Sequence, residues 1–481
     1  MEAERRAAAR PLADPRGWRL AIYALAIWPM TIGQQPLIFM APYFSAAFGL
    51  SLPLLGAWLT AGRTFDVIAD VTVAYCSDRY RGRIGRKPWV GIGLVLFIPS
   101  LWLLFVPGSS MSIDRYAIGL FLFFLTWTVG FIPYLVHGTE LAAGHAARAA
   151  INIGQGVGNS VALLVSYAAP MLFAATFMAP WRQAAGRWLG GSGWPWLEGV
   201  AAMLRAPPAA GVGGYGLTMV MIVAITTIIT PFLLIVYMLF VPDRSIGQRQ
   251  DGASALAAFR NPVFLRFTIG YLLVVSAYFV TLFLLPFMLA FVYFRPGLLL
   301  PLSLAMTITQ VLIAPLWYVL LARWERRTCL ALAGVVQAAA IVLFALTPAN
   351  DAPMLFLDYL AFGLTGQTLM MGPFLVASDS ADYSRWKTRQ DSRAVHISLI
   401  SLLIKAGNIV GALFVALVGL AGLEPQQSTQ TAGGLIALQG LGLWLPCLLL
   451  LAGSAIIATH PITRNRQRAL QRRIDLRSAR H

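Results

Sequence analysis

The sequence is 481 residues long, and 58% of these residues are hydrophobic while only 11% are charged. Soluble globular proteins carry about 25% charged residues, so this chain cannot surround a core with a polar surface, and lipid is its expected solvent. The formal net charge of +17 would suit nucleic acid, but the basic residues occupy short gaps between apolar runs, which excludes a nucleic-acid partner.

Apolar runs recur along the whole chain. A helix that crosses the hydrocarbon core of a bilayer needs about 20 mostly apolar residues. Runs that meet this demand lie at residues 18–47, 51–77, 88–107, 116–137, 150–178, 216–241, 263–294, 297–321, 329–348, 352–378, 395–420 and 434–459. They predict an all-α, multi-pass membrane protein with twelve transmembrane helices.

The lysines and arginines predict the orientation of these helices. Most of the 36 basic residues fall on the side of the membrane that holds both termini. Cytoplasmic loops carry the excess of basic residues, so both termini are expected in the cytoplasm, in a membrane of the bacterial inner (plasma) membrane type. The predicted outside loops hold only Arg115, Arg182, Arg187, Arg205 and Arg295.

A polar segment at 243–262 divides the chain into a first half, 1–242, and a second half, 263–481, with six predicted helices each. Two parallel, pseudo-symmetric six-helix bundles characterise one large class of transporters. The outside loop 179–215 is unusually long, and we expect it to lie on the outer leaflet with aromatic rings at headgroup depth. A lid over the substrate path is the alternative. Its tryptophans are Trp181, Trp188, Trp194 and Trp196.

The second predicted span carries Arg63, Asp66 and Asp70, although a charge near the bilayer centre costs about 2.5–3.5 kcal/mol. Their spacing places all three on one face of a helix. Two carboxylates one turn apart repel each other when both are ionised, so they are expected to share a cation or to hold a proton. The alternative is a purely structural cluster, in which Arg63 neutralises one aspartate and Lys405 of the eleventh span neutralises the other.

Three more acidic residues lie in the tenth span or directly after it. Asp379 and Asp382 stand near its cytoplasmic end, without a histidine or a set of metal ligands nearby, so a gating role in ion pairs with loop arginines is favoured over catalysis. Asp358 lies early in this span, near the outer face, where we expect solvent to reach it. The predicted gating set is Asp78, Arg79, Arg86, Asp379 and Asp382.

Several motifs occur in the order typical of one known family. The first is Arg63-x-x-Asp66-x-x-x-Asp70, followed by Ser77-Asp78-Arg79-x-Arg81-Gly82-Arg83-x-Gly85-Arg86-Lys87-Pro88-Trp89. The others are Ile132-Pro133-Tyr134, Glu140-Leu141 with Arg148, Ser378-Asp379-Ser380-Ala381-Asp382-Tyr383, and Lys405. Together they resemble the glycoside–pentoside–hexuronide:cation symporters, the melibiose permease-like family of the major facilitator superfamily.

The resemblance implies roles for five residues. By the family pattern, Asp66 and Asp70 bind the coupling cation, and they would be its metal ligands if that cation is sodium. Thr128 falls on a position that supplies a cation-ligating hydroxyl. Lys405 would lie beside this site and link it to the substrate, and Arg63 would pair with the carboxylates.

The sequence departs from the family where the sugar binds. Met30 and Phe131 stand where melibiose-type members have aspartates, and Gln155 stands near a family arginine. Unpaired sugar hydroxyls would be costly against such residues, so sugar specificity does not carry over. Ala69 replaces an asparagine beside the cation site, which makes a proton a rival to sodium. The predicted substrate-binding residues are Met30, Gln34, Phe131, Tyr134, Gln155 and Lys405.

The function favoured by these patterns is secondary active symport, by alternating access, of a small organic solute that is glycoside-like by family. The coupling ion is Na⁺ or H⁺, and no cofactor is expected. The alternative is a cation- or proton-coupled transporter of an amphiphilic, lysolipid-like substrate, in either direction. A membrane-embedded enzyme or a sensor is the remote alternative. The expected partners are the substrate and the lipid bilayer, and the chain is expected to be a monomer.

Overall fold

The structure is a computed structural model that describes most of the chain. The described residues are 18–108, 110–141, 145–174, 178–191, 195–205, 211–242, 262–388, 393–427, 429–461, 463–467 and 469–470. Within these ranges the regular structure is helical throughout, without a β-strand. The predicted middle segment 243–262 lies outside the described residues except for Pro262, which begins a helix.

The helices of the first part of the chain are α1 Trp18–Leu25, α2 Trp28–Gly33, α3 Met40–Phe48, α4 Leu52–Arg79, α5 Arg81–Ile84, α6 Lys87–Phe105, α7 Ile113–Leu141, α8 His145–Ala174, α9 Ala179–Gly190, α10 Pro195–Arg205 and α11 Gly214–Phe240. Those that follow are α12 Pro262–Phe287, α13 Leu299–Arg323, α14 Arg326–Leu346, α15 Ala352–Gly363, α16 Gly366–Thr388, α17 Arg393–Leu420, α18 Ala432–Gln439 and α19 Leu445–Ala458. Short π-helical segments extend α12 over Met288–Val292 and join α18 to α19 over Gly440–Trp444.

Ten helical spans in the described part are long and apolar enough to cross a membrane, judged by length and composition. They match the third to the twelfth predicted spans. The second predicted span is one continuous helix, α4, whose charged residues lower its hydropathy. The first is divided into α1, α2, a 3₁₀ turn and α3, because Pro29 and Pro36 lack the N–H that a continuous helix needs and stand in the first turn of new segments.

The chain forms two compact units. The first comprises Met1–Leu50 and Thr64–Gln248, and the second comprises Ser51–Arg63 and Arg249–His481. The start of α4 belongs to the second unit because it packs tightly on α17: a Cβ added at Gly56 would lie 2.3 Å from the backbone N of Ala416. The division into domains at residues 242 and 263 stays a prediction.

Small residues let helices approach closely inside each unit. In the first unit, a Cβ at Gly93 of α6 would lie 2.2 Å from the backbone N of Gly130 in α7. In the second unit, a Cβ at Gly270 of α12 would lie 3.0 Å from the carbonyl O of Gly453 in α19. Close backbone approach at small residues is the usual way in which membrane helices pack, and the Gly93–Gly130 contact sets the position of α7.

The long outside loop is a pair of packed helices, α9 and α10. The Arg182 side chain is buried, and its Nε donates to the carbonyl of Leu204 across the pair at 3.2 Å. Trp181 and Trp188 are 72% and 79% exposed, one above the other on α9. Exposed indole rings suit a membrane interface, and the location of this pair on the outer leaflet stays a prediction. Trp194 lies outside the described residues, as does the side chain of Trp196.

Candidate functional site

Two acidic side chains of α4 converge on one hydroxyl of α7 in the first unit. The Thr128 hydroxyl Oγ1 lies 3.0 Å from Oδ1 of Asp66 and 3.3 Å from Oδ1 of Asp70. Thr128 is fully buried and Asp66 is 3% exposed, while Asp70 is half-buried. Thr128 follows Asp66 by 62 positions and Asp70 by 58 positions in the chain. Their three oxygen atoms nevertheless meet inside the protein.

This arrangement can hold a proton or a hard cation. A threonine hydroxyl has one hydrogen and can donate it to only one carboxylate at a time. A proton on one aspartate, or a cation shared by the three oxygens, relieves the repulsion between the two carboxylates. Oxygen ligands are those that hard cations prefer. In the described part of the chain, no group of three or more His, Cys, Asp or Glu side chains is arranged to hold a metal ion.

An aromatic contact between α4 and α7 lies beside the polar cluster. Phe65, next to Asp66 in sequence, makes an edge-to-face contact with Phe121, with ring centroids 5.1 Å apart. Phe121 lies two turns before Thr128 on α7, so the aromatic pair and the polar cluster are two side-chain contacts along the same face of α7. The Gly93–Gly130 approach supports α7 from its other neighbour, α6.

Arg63 and Lys405 belong to the second unit. The guanidinium carbon of Arg63 lies 5.9 Å from the centroid of the Phe283 ring, a distance typical of a cation–π contact. Lys405 is half-buried on α17. Their predicted pairing with the aspartates and the predicted link from Lys405 to the substrate stay predictions.

Two of the predicted substrate-binding residues are enclosed by protein. Met30 is 1% exposed and Tyr134 is fully buried, and both belong to the hydrophobic core cluster of the first unit. The Tyr134 and Tyr23 hydroxyls each donate to the other residue's carbonyl at 2.9 Å, and their rings stack with centroids 4.6 Å apart. The structure gives neither Met30 nor Tyr134 a surface for a substrate, and their predicted role stays untested.

The other predicted substrate residues of the first unit keep some accessible surface. Gln34, Phe131 and Gln155 are half-buried. The Phe131 ring stacks on Trp127, with centroids 4.2 Å apart and an interplanar angle of 25°. Gln155 donates from Nε2 to the Tyr23 hydroxyl at 2.7 Å. Trp127 was not among the predicted residues, although its spacing of four from Phe131 is the signal that places both on one helix face.

A second feature missed from the sequence is a buried histidine near the end of α7. His137 is fully buried, and its Nε2 lies 3.0 Å from the carbonyl of Pro242, which requires Nε2 to carry a hydrogen. Its Nδ1 lies 2.5 Å from the Tyr237 hydroxyl. The ring joins α7 to the end of α11. In the sequence, the only indication that His137 faces the core is its position three residues after Tyr134.

Each unit has its own ion pairs at the predicted cytoplasmic end. In the first unit, Arg86 is 2% exposed, pairs with Asp78, contacts Glu140 at 3.2 Å, and donates to Ser77 Oγ at 2.8 Å. The sequence indicated Glu140 only as part of a family motif, and the structure adds it to the ion-pair cluster around Arg86. Arg79 is exposed.

In the second unit, Asp379 pairs with Arg326, and Asp382 accepts a hydrogen bond of 2.8 Å from Gln467 Nε2. The predicted pairing of these aspartates with Arg79 or Arg86, and the gating role of the whole set, stay predictions.

A family model described as MFS/sugar transport protein matches residues 25–464. The chain belongs to this family. The match confirms the resemblance to major facilitator transporters that the motifs indicate, and it makes the protein a membrane transporter rather than an enzyme. The transporter, membrane and sugar-transport-family parts of the prediction are therefore established.

Two curated relatives are similar over part of the chain. An uncharacterized symporter of Synechocystis sp. is 26% identical over 164 residues, which are 31% of this chain and 30% of that protein. A D-xylose transporter of Levilactobacillus brevis is 27% identical over 157 residues, or 32% of each chain. The similarity thus spans about a third of the length of either relative.

Solved structures of transporters share the fold over nearly the whole chain. A bacterial homologue of the human lysosomal transporter Spinster, inward-facing and unoccupied, has a TM-score of 0.63 at 17% identity and covers 95% of this chain and 97% of its own. A D-xylose–proton symporter has a TM-score of 0.61 at 13% identity, with 92% and 97% covered. The nucleoside transporter NupG has a TM-score of 0.59 at 14% identity, with 93% and 100% covered. The predicted all-α major facilitator fold is confirmed.

Proposed function

We propose that this transporter is a cation-coupled symporter and that the coupling ion binds at Asp66, Asp70 and Thr128. The observation that carries the proposal is the Thr128 hydroxyl within 3.3 Å of both carboxylates. Two carboxylates around one hydroxyl repel each other when both are ionised, and a shared cation or proton removes this repulsion. Binding of the ion therefore stabilises this arrangement, and its release favours another, which is what coupling by alternating access requires.

The ligand set is compatible with Na⁺ and with H⁺. Three protein oxygens leave room for further ligands around Na⁺, while a single proton satisfies the aspartates and Thr128 without any other group. Ala69, in the position of a family asparagine, supplies no side-chain oxygen, and this favours the proton. No resident cofactor takes part in the proposed cycle.

The proposed cargo is a small organic solute that presents an apolar or ring face. The stacked, half-buried pair Trp127 and Phe131 supports this choice, because an aromatic platform binds the flat face of a ring. A glycoside is the first candidate by family. An amphiphilic, lysolipid-like molecule is the second, since aromatic rings also contact acyl chains. We further propose a monomer in an inner membrane of bacterial type, with both termini in the cytoplasm, because basic residues concentrate on that side.

The test is uptake into proteoliposomes under an imposed gradient of Na⁺, Li⁺ or H⁺, with a panel of glycosides and lysolipids as substrates. One gradient is expected to drive accumulation in the unmodified protein, and Asp66→Asn is expected to abolish it while exchange without a gradient persists. Asp114→Asn, which alters an exposed carboxylate in the first turn of α7, is the matched control. Accumulation that is equal in Asp66→Asn and in the unmodified protein would show that coupling does not use this site.

A further inference from the structure

Asp358 of α15 is a buried acid that the proposed coupling site does not use. Its side chain has no exposed surface. Oδ2 lies 2.8 Å from the Thr347 hydroxyl, while Oδ1 is buried without a hydrogen-bond partner. Among the described residues, no lysine, arginine or histidine forms an ion pair with it. The expectation that solvent reaches Asp358 is therefore wrong in this structure, because the end of α14 covers it.

The hydrogens around Thr347 indicate the protonation state of the acid. The Thr347 hydroxyl lies 3.2 Å from the carbonyl of Leu343 as well as 2.8 Å from Asp358, and it has a single hydrogen to donate. If Asp358 is ionised, two acceptors compete for that hydrogen. If Asp358 is the neutral acid, its O–H donates to Thr347 and the Thr347 hydroxyl donates to Leu343. Only the neutral acid supplies both hydrogen bonds.

The charged surroundings favour the neutral acid as well. The titratable groups that act on Asp358 are Asp351, just before α15, and Tyr293, which follows the π-helical end of α12. Asp351 adds a like charge, and its Oδ1 already accepts a hydrogen bond from the Met354 N–H. The Tyr293 hydroxyl donates to the carbonyl of Phe344 instead of to Asp358.

On the helices packed against α15, the charged residues lie at the ends that are far from Asp358. The only charged residue of α13 is Arg323, at its far end, and those of α14 are Arg326 and Arg327, at its first turn. The charged residues of α16, which are Asp379, Asp382, Arg385 and Lys387, also lie towards its far end. A carboxylate at position 358 would thus be a buried and uncompensated charge, which is strongly unfavourable.

We propose that Asp358 is a proton-binding site in the second unit, separate from the proposed coupling site, and that it carries its proton in the conformation described here. Loss of the proton to water leaves an unpaired carboxylate beneath the end of α14. This destabilises the contact between α14 and α15 and favours conformations in which water reaches the acid. The site binds a proton and not a metal cation. It offers only one carboxyl group and one hydroxyl, and that hydroxyl already donates its hydrogen to the carbonyl of Leu343.

The experiment uses the purified full-length protein and two measurements. Infrared spectroscopy at about pH 5 is expected to show the carbonyl stretch of a protonated carboxyl that is absent from Asp358→Asn. The apparent melting temperature of the unmodified protein is expected to fall by about 2–4 °C more than that of Asp358→Asn between about pH 4 and about pH 7. The sign follows from linkage: a group that holds its proton more tightly in the folded state stabilises that state at low pH and loses this effect as the pH rises.

Asp358→Asn retains a neutral donor to Thr347 and is expected to fold with near-normal stability at neutral pH, whereas Asp358→Ala removes the donor and leaves a cavity. The control is Asp114→Asn, which is expected to keep both the infrared band and the pH dependence. The proposal is overturned if the band persists in Asp358→Asn, or if its pH dependence equals that of the unmodified protein. It is also overturned if Asp358→Asn does not fold or is as unstable as Asp358→Ala, because a carboxylate would then be required.

Discussion

Two acidic sites of this protein place a threonine hydroxyl against carboxyl groups in different arrangements. In the first unit, the Thr128 hydroxyl lies between two carboxylates, those of Asp66 and Asp70. In the second unit, the Thr347 hydroxyl lies between one carboxyl, that of Asp358, and a backbone carbonyl of its own helix. In the first site, the two carboxylates repel each other when both are ionised, and a shared cation or proton removes this repulsion. In the second site, one proton satisfies both the carboxyl group and the hydroxyl. We therefore propose that the number of carboxylates around the hydroxyl distinguishes a coupling site from a site that binds only a proton.

The largest expected difference between the sites concerns the acids. Replacing Asp66 or Asp70 with Asn removes a carboxylate from the proposed coupling site, and we expect the apparent cation affinity of uptake to fall by at least about 100-fold. Asp358→Asn is expected to leave that affinity within about two-fold, because the amide replaces a neutral acid. Uptake measured against the concentration of the driving ion separates the two cases. A similar loss in all three variants would erase the distinction between the sites.

The threonines provide an intermediate test. Thr128→Val keeps the shape of the side chain but removes a ligand, so the apparent cation affinity is expected to fall about 10-fold while thermal stability changes little. Thr347→Val is expected to do the reverse, lowering stability by about 1–3 kcal/mol because the Asp358 hydrogen loses its acceptor. Uptake kinetics and thermal unfolding of both variants are the measurements. Thr128→Ser, which retains the hydroxyl, is the control for the first site, and failure of this rescue would argue against ligation by Thr128.

A smaller effect is expected from the packing that positions α7. Gly93→Ala places a Cβ 2.2 Å from the Gly130 backbone N, and overpacking of this kind costs about 1–3 kcal/mol. Displacement of α7 also moves Thr128, so we expect a modest loss of cation affinity together with a lower melting temperature.

Gly156→Ala on α8 is the matched control for this substitution, because a Cβ at Gly156 would meet no atom within 4 Å. It is expected to be neutral or slightly stabilising, since alanine favours a helix over glycine by about 1 kcal/mol. Equal stability of the Gly93 and Gly156 variants would mean that α6 and α7 can separate without harm, and that the Gly93–Gly130 contact does not hold Thr128 in place.

The sequence by itself determined the features that depend on local repetition. The lengths of the apolar runs predict the ten apolar spans found among the described residues, and the spacing of Asp66 and Asp70 places them one turn apart on α4. The family motifs were sufficient to recognise the major facilitator fold. The length of the apolar run was less informative for the first span. Only the structure shows that Pro29 and Pro36 begin separate segments there.

The tertiary structure decided which side chains meet. Thr128 joins aspartates that lie about 60 positions earlier in the chain, Met30 and Tyr134 are enclosed in a core cluster, and Asp358 is covered by the end of α14 although it lies near the end of a predicted span. The period of a helix fixes which residues share a face, but the partner of that face depends on how closely neighbouring helices approach. In this protein that approach is set by glycine contacts such as Gly93 with Gly130, whose partners lie on separate helices and carry no local signal.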